Sequence, residues 1–189
     1  MKNQLSNATY NIYSLLFTPK LFFENKKPDS LRAALPYLLV GIVITEIIAP
    51  FHSHPIQYTF ISIYQNASFF FLKVTLMYII IRLLGEKTPY INILATMMFV
   101  SVFSIFYLIY YKIFVLSNIL FEIDFVMYLY GLPIIRTLLF IWTSYCAIIG
   151  LSTMQKIDRK NATIGVLVVF SFFYLRSLFY DISTILAFL

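Results

Sequence analysis

Residues 66–112 read NASFFFLKVTLMYIIIRLLGEKTPYINILATMMFVSVFSIFYLIYYK, and this stretch decides the fold. Two apolar runs, roughly 66–84 and 89–112, flank a short joint carrying Arg82, Gly85, Glu86, Lys87 and Pro89. Apolar runs of about 20 residues are long enough, as helices, to cross a hydrocarbon core of about 30 Å. Runs of the same kind recur at roughly 32–51, 128–150 and 161–183. The expected fold is therefore all-α: a polytopic integral membrane protein with five transmembrane helices over residues 32–189, preceded by a short segment, 1–31, on the membrane surface.

Composition agrees. The chain has 189 residues, 61% hydrophobic and 12% charged, with a mean hydropathy of +0.85, which is too apolar for an ordinary soluble domain. Charge then sets the expected orientation. Of 14 Lys and Arg residues, Lys2, Lys20, Lys26, Lys27, Arg32, Arg82, Lys87, Lys156, Arg159 and Lys160 fall in segments that five crossings would put on one side. The positive-inside rule makes that side the cytoplasm, with the amino terminus inside and the carboxyl terminus outside. The net charge of +6 is dispersed over helix ends. It suits contact with anionic lipid headgroups at the cytoplasmic face and not nucleic-acid binding.

Local signals mark the joints. Thr18-Pro19 and Thr88-Pro89 each pair a capping residue with a proline suited to a first helical turn, Asp29 or Ser30 can cap the first span, and Gly85 suits a helix carboxyl end. In the amino-terminal segment Lys20, Phe22, Phe23, Lys26 and Lys27 form a candidate interfacial anchor, with the two rings expected in lipid and the lysines among headgroups. Residues 113–127 form an apolar joint interrupted by Glu122 and Asp124, too short for a span and expected to be interfacial or re-entrant.

Three stretches resemble the Yip domain family of five-span membrane proteins, named for interaction with Ypt/Rab GTPases. They are Leu16-Phe17-Thr18-Pro19-Lys20-Leu21-Phe22-Phe23, the joint from Arg82 to Tyr90, and the run from Trp142 through Gly150-Leu151 to Ala162. The resemblance covers about residues 15–170. It implies a cytoplasmic amino terminus, five helices and no enzymatic activity. The chain lacks the eukaryotic branch's long amino-terminal domain and its Asp-Leu-Tyr-Gly-Pro type motif, so the resemblance points to a prokaryotic member in the cell (inner) membrane.

Four charged residues fall inside the expected spans, Glu46, Lys73, Arg136 and Arg176, and counting at about 1.5 Å per residue from each span's outer end puts them in one charged layer of the outer half, about 8–12 Å deep. Charges at such depth are costly unless paired, hydrated or snorkelled. Helical side chains lean toward their own amino terminus. In spans that begin outside, Lys73 and Arg136 lean outward; in spans that begin inside, Glu46 and Arg176 lean deeper. Three readings follow: a structural Glu46–Arg176 pair, simple snorkelling, or a hydrated pocket for an anion, a lipid phosphate or a transported solute. Gly41, Thr45 and Ala49 recur at four-residue spacing, a small-residue stripe suited to close helix contact.

Other chemistry is sparse. Cys146 stands alone, His52 and His54 have no acid or thiol beside them, and the GxSxG, HExxH and GxxxxGK[ST] motifs are absent. No catalytic residue, cofactor or metal is expected. The expected function is a non-enzymatic adaptor or organiser acting through its basic cytoplasmic face and helix surfaces, with a protein partner or a second copy. The alternative is a small transporter or lipid-handling protein built on the charged layer.

Overall fold

The computed structural model describes residues 13–27, 30–44, 56–106, 109–110 and 125–188, and these are helical with short joints and no strand. After a helical turn over 13–17 come α1 (Pro19–Glu24) and α2 (Leu31–Leu38), the latter continuing as a π-helix over Leu39–Ile44. Next are α3 (Ile56–Leu83), α4 (Tyr90–Val100) with a 3-10 turn at Ser101–Phe103, α5 (Phe125–Thr153) and α6 (Arg159–Phe188). Three helices are long and apolar enough to cross a membrane: Phe60–Leu83, Pro133–Thr153 and Arg159–Phe179. Leu31–Val43 and Tyr90–Phe106 are apolar but shorter.

Several expected boundaries move. The second run begins at Ile56 and not near 66, because no Gly or Pro interrupts residues 56–84 and helix propagation is cheap once started. The third leaves α-geometry after Val100. Residues 125–127 open α5, while 113–124 lie outside the described residues.

Gly85 ends α3 as its position implies. Its φ of 93° lies in the left-handed region. The Glu86 N–H donates to the Ile81 carbonyl at 3.2 Å and the Gly85 N–H to that of Arg82 at 3.1 Å, the paired bonds of a Schellman cap. The Thr-Pro starts behave otherwise: Thr18 turns its hydroxyl back to the Ser14 carbonyl, and Pro89 itself occupies the cap position of α4.

One end of the bundle is tied by a single carboxylate. Glu86 Oε1 accepts from the Asp158 N–H at 3.0 Å and from Asn161 Nδ2 at 2.9 Å. Asp158 in turn caps α6 through the Lys160 N–H at 3.1 Å. The α3–α4 and α5–α6 joints therefore lie together, and they carry Arg82, Lys87, Lys156, Arg159 and Lys160. Nearby, buried Gln155 donates to Thr96 Oγ1 at 3.1 Å, joining the α5 exit to α4.

The closest approach is α2 to α4. A Cβ on Gly41 would overlap the Ser101 carbonyl, with its carbon at 2.6 Å and Ser101 Oγ at 3.1 Å. The two serines bridge the crossing: Ser101 Oγ lies 3.2 Å from the Tyr37 carbonyl, and Ser104 Oγ donates to that of Gly41. Both helices are irregular here, π on one side and 3-10 on the other. Gly41 thus makes the close contact expected of it; Thr45 and Ala49 lie outside the described residues.

Gly41→Val should overpack this crossing and lower stability by about 1–3 kcal/mol, read as an earlier thermal unfolding midpoint of the detergent-solubilised protein. An unchanged midpoint would contradict the backbone contact.

Candidate functional site

The amino-terminal aromatic pair points inward and corrects the sequence expectation. Phe22 is 2% exposed and Phe23 fully buried, so neither ring reaches lipid. Phe22 packs edge-on to Phe99 at 5.2 Å and to Tyr37 at 5.9 Å, and Phe23 meets Phe99 at 6.1 Å. A Cβ on Gly150 would lie 2.9 Å from Phe23 Cζ, so this glycine makes room for the ring. Stacked and edge-on aromatic contacts reward such burial beyond its area. The segment is docked on the bundle by protein packing.

Its lysines divide. Lys20 and Lys27 are exposed, Lys20 lying 3.8 Å from Glu24. Lys26 is half-buried, its Nζ 4.8 Å from the Phe22 ring centre and 5.9 Å from that of Phe99. Burial pushes the Lys26 ammonium below its ordinary value of 10.5.

The intramembrane candidates separate into an inner pair and an outer cation. Lys73 and Arg136 line one cavity of about 490 Å³, bounded by the π-segment, α3, the α4 exit, α5 and α6. Its wall is largely aromatic, with Phe69, Phe70, Phe103, Phe140, Phe170 and Phe173. Asn66, Ser101, Ser104, Thr143, Tyr174 and Ser177 supply polar groups, and no carboxylate stands among the described lining residues. Tyr174 Oη lies 2.7 Å from Thr137 Oγ1, and its ring stacks on Phe140 at 4.6 Å. Arg176 is exposed on α6 and stands over Phe69 at 4.6 Å. Glu46 lies outside the described residues, and with it any pair it makes.

Counting at about 1.5 Å per residue from the tied end places Lys73 about 15 Å away and Arg136 and Arg176 about 25 Å away. Lys73 reaches over the Phe173 ring at 5.0 Å. Both Lys73 and Arg176 lean toward the amino terminus of their helix and so toward each other's level. A ring face stabilises a cation by about 0.5–2 kcal/mol but leaves its charge unneutralised. Such a cavity can receive an anion, since small-molecule sites commonly enclose about 300–1,000 Å³ of mostly apolar wall with a few polar groups.

Sequence reasoning singled out the cations and missed their setting. Ser101 and Ser104 were visible as a Ser-x-x-Ser step in an otherwise apolar run. Phe69 with Lys73, and Phe173 with Arg176, sit four and three residues apart, the spacings that share a helix face.

Comparison with protein-family models, with curated proteins and with solved structures gives no match to this chain.

Two measurements check the docking of the amino-terminal segment. Phe23→Ala should lower stability by about 3–5 kcal/mol, whereas Lys20→Gln and Lys27→Gln should leave the thermal midpoint nearly unchanged; equal effects would return the rings to lipid. Lys26 adds a pH signature. Because its folded value is lowered, the unfolded chain binds more protons in the window just below 10.5, and stability rises with pH there. The gain in midpoint between about pH 8 and about pH 10 should shrink in Lys26→Met.

Proposed function

We propose that this chain is a non-enzymatic, five-span integral membrane protein whose central cavity holds an anionic group, in the service of lipid handling or small-solute transport. The observation that carries this reading is Lys73, half-buried at the cavity wall against a ring with no described carboxylate within ion-pair distance. An uncompensated ammonium at such depth is expensive, and a bound anion relieves it where a hydrocarbon filling would not. Irregular backbone at membrane depth is tolerated where it is buried or lines a hydrated cavity, and Gly41, Ser101 and Ser104 do line this one.

The test is thermal unfolding of the purified protein in detergent, in inorganic phosphate or in chloride at equal ionic strength, which holds screening constant. Phosphate at about 100-fold its dissociation constant stabilises by about 2.7 kcal/mol. Lys73→Gln should remove this gain and Lys27→Gln should retain it. Stabilisation that survives Lys73→Gln would place the anion elsewhere.

The five-span arrangement, with amino terminus cytoplasmic and in a prokaryotic cell membrane, belongs to the same proposal. It draws support from the Glu86 contacts, since five crossings put the α3–α4 and α5–α6 joints on one side. In a Cys146-free background, engineered cysteines near Lys27, Glu86 and Arg159 should be shielded from an impermeant thiol reagent added to intact cells. Cysteines near His54 and Asp124 should react. Labelling at the Glu86 joint from outside would overturn the arrangement.

The basic residues gathered at the tied end favour a second reading, an adaptor of the Yip type that holds anionic headgroups or a partner protein at its cytoplasmic face. Each lysine near an anionic surface contributes about 1 kcal/mol.

A further inference from the structure

The surface between α3 and α6 carries an ordered ladder of charge and ring. From the exterior inward it runs Arg176, Phe69, Phe173, Lys73: the Arg176 guanidinium stands over Phe69 at 4.6 Å, Phe69 meets Phe173 edge-on at 6.3 Å, and Lys73 Nζ stands over Phe173 at 5.0 Å. Each ring lies on the opposite helix from the cation it holds. Phe69 and Phe173 also line the cavity, so the ring pair is the wall between Arg176 outside and Lys73 inside.

The seam is built to part at this level. Nearer the tied end α3 and α6 are close: a Cβ on Gly165 would lie 3.1 Å from Ile81 Cγ1 and 3.3 Å from Met77 Sδ. At the ladder the contact between the same two helices is the edge-on Phe69–Phe173 pair. An edge-on aromatic pair and two ring-held cations are each contacts of about 0.5–2 kcal/mol, and a phosphate oxygen offers either cation a stronger, charge-assisted partner. On α6 beside Arg176, Phe172, Leu175 and Phe179 are all more than half exposed (62%, 60% and 75%). A guanidinium set in such a surface meets acyl chains and headgroups before it meets dissolved ions.

We propose that the cavity takes the phosphate headgroup of a membrane lipid, admitted sideways from the bilayer through the Phe69–Phe173 seam. Arg176 captures the phosphate at the surface, the rings separate, and Lys73 receives the headgroup while the acyl chains stay between α3 and α6 in the bilayer. A volume of about 490 Å³ suits a headgroup and excludes a whole two-chain lipid. Arg176 is on this account a positioning residue for entry. The inference rests on the anion-binding reading and adds to it the lipid source and the route.

The experiment compares two probes on the full chain, phosphatidic acid in nanodiscs of phosphatidylcholine and inorganic phosphate in detergent, each titrated against binding. Wild type should bind both, Lys73→Gln should lose both, and Arg176→Gln should slow the association of phosphatidic acid at least tenfold while leaving that of inorganic phosphate unchanged. Arg176→Lys, which keeps the charge, should restore most of the lipid's association rate. Arg176→Gln acting equally on both probes, or on neither, overturns the route and leaves the anion site standing. Wild type that binds phosphate but not phosphatidic acid overturns the lipid source. Lys73→Gln without effect overturns the anion-binding reading beneath it. In a Cys146→Ser background, bridging Phe69→Cys to Phe173→Cys with a reducible bifunctional thiol reagent should stop uptake of phosphatidic acid from donor vesicles, and reduction should restore it. Uptake through the cross-linked seam would also overturn the route.

Discussion

A buried backbone carbonyl must find its partner within the protein, and the crossing of α2 and α4 is where this constraint shapes the molecule. Gly41 lets the two backbones meet, and the meeting is incompatible with regular geometry on both sides. Ser101 and Ser104 set their hydroxyls between carbonyls of the two segments, those of Met98 and Tyr37 for Ser101, and those of Ser101 and Gly41 for Ser104. The residues of that crossing, Gly41, Ser101 and Ser104, also form part of the cavity wall.

The two ends of the bundle then do different things. At the tied end polar contacts join separate elements: the Glu86 carboxylate accepts two N–H donors from across the joint, Gln155 reaches Thr96, and Phe22 and Phe23 fill the space over Gly150 and against Phe99. At the level of the ladder, cations rest on ring faces, which hold them without neutralising them. A rigid end below a loosely held seam is the distribution of stability expected of a protein that admits a ligand from the side, since mobile elements are drawn from the less stable parts of a fold.

Much of the helical frame was legible in the sequence because it follows from single residues and local runs. Gly85 is an example: its position after an apolar run foretells the left-handed cap that its φ of 93° realises. The start of α3 was not legible, because residues 56–65 are polar enough to read as a joint and only the absence of Gly and Pro betrays the continuing helix. Phe22 and Phe23 were misread for a different reason. Two rings among lysines have the same signature whether they enter lipid or a protein groove, and the groove is made by Gly150, Tyr37 and Phe99, distant in sequence. The cations were visible singly, but a cavity assembled from five segments has no local signature at all.

The reciprocal spacing of ring and cation links the frame to the ladder. On α3 the ring precedes its cation by four residues, and on α6 by three, while the two helices run antiparallel. Each cation leans toward its own helix amino terminus, so in an antiparallel pair the two lean in opposite senses and pass one another. Lys73 thereby reaches the ring of α6 and Arg176 the ring of α3. Had the helices been parallel, both cations would have leaned the same way, and an exchange of this kind would not have formed. The exchange is thus a direct consequence of the Gly85–Asp158 end being tied: it makes α3 and α6 antiparallel neighbours, fixes their register through Glu86, and sets an interior and an exterior cation on either side of one aromatic wall.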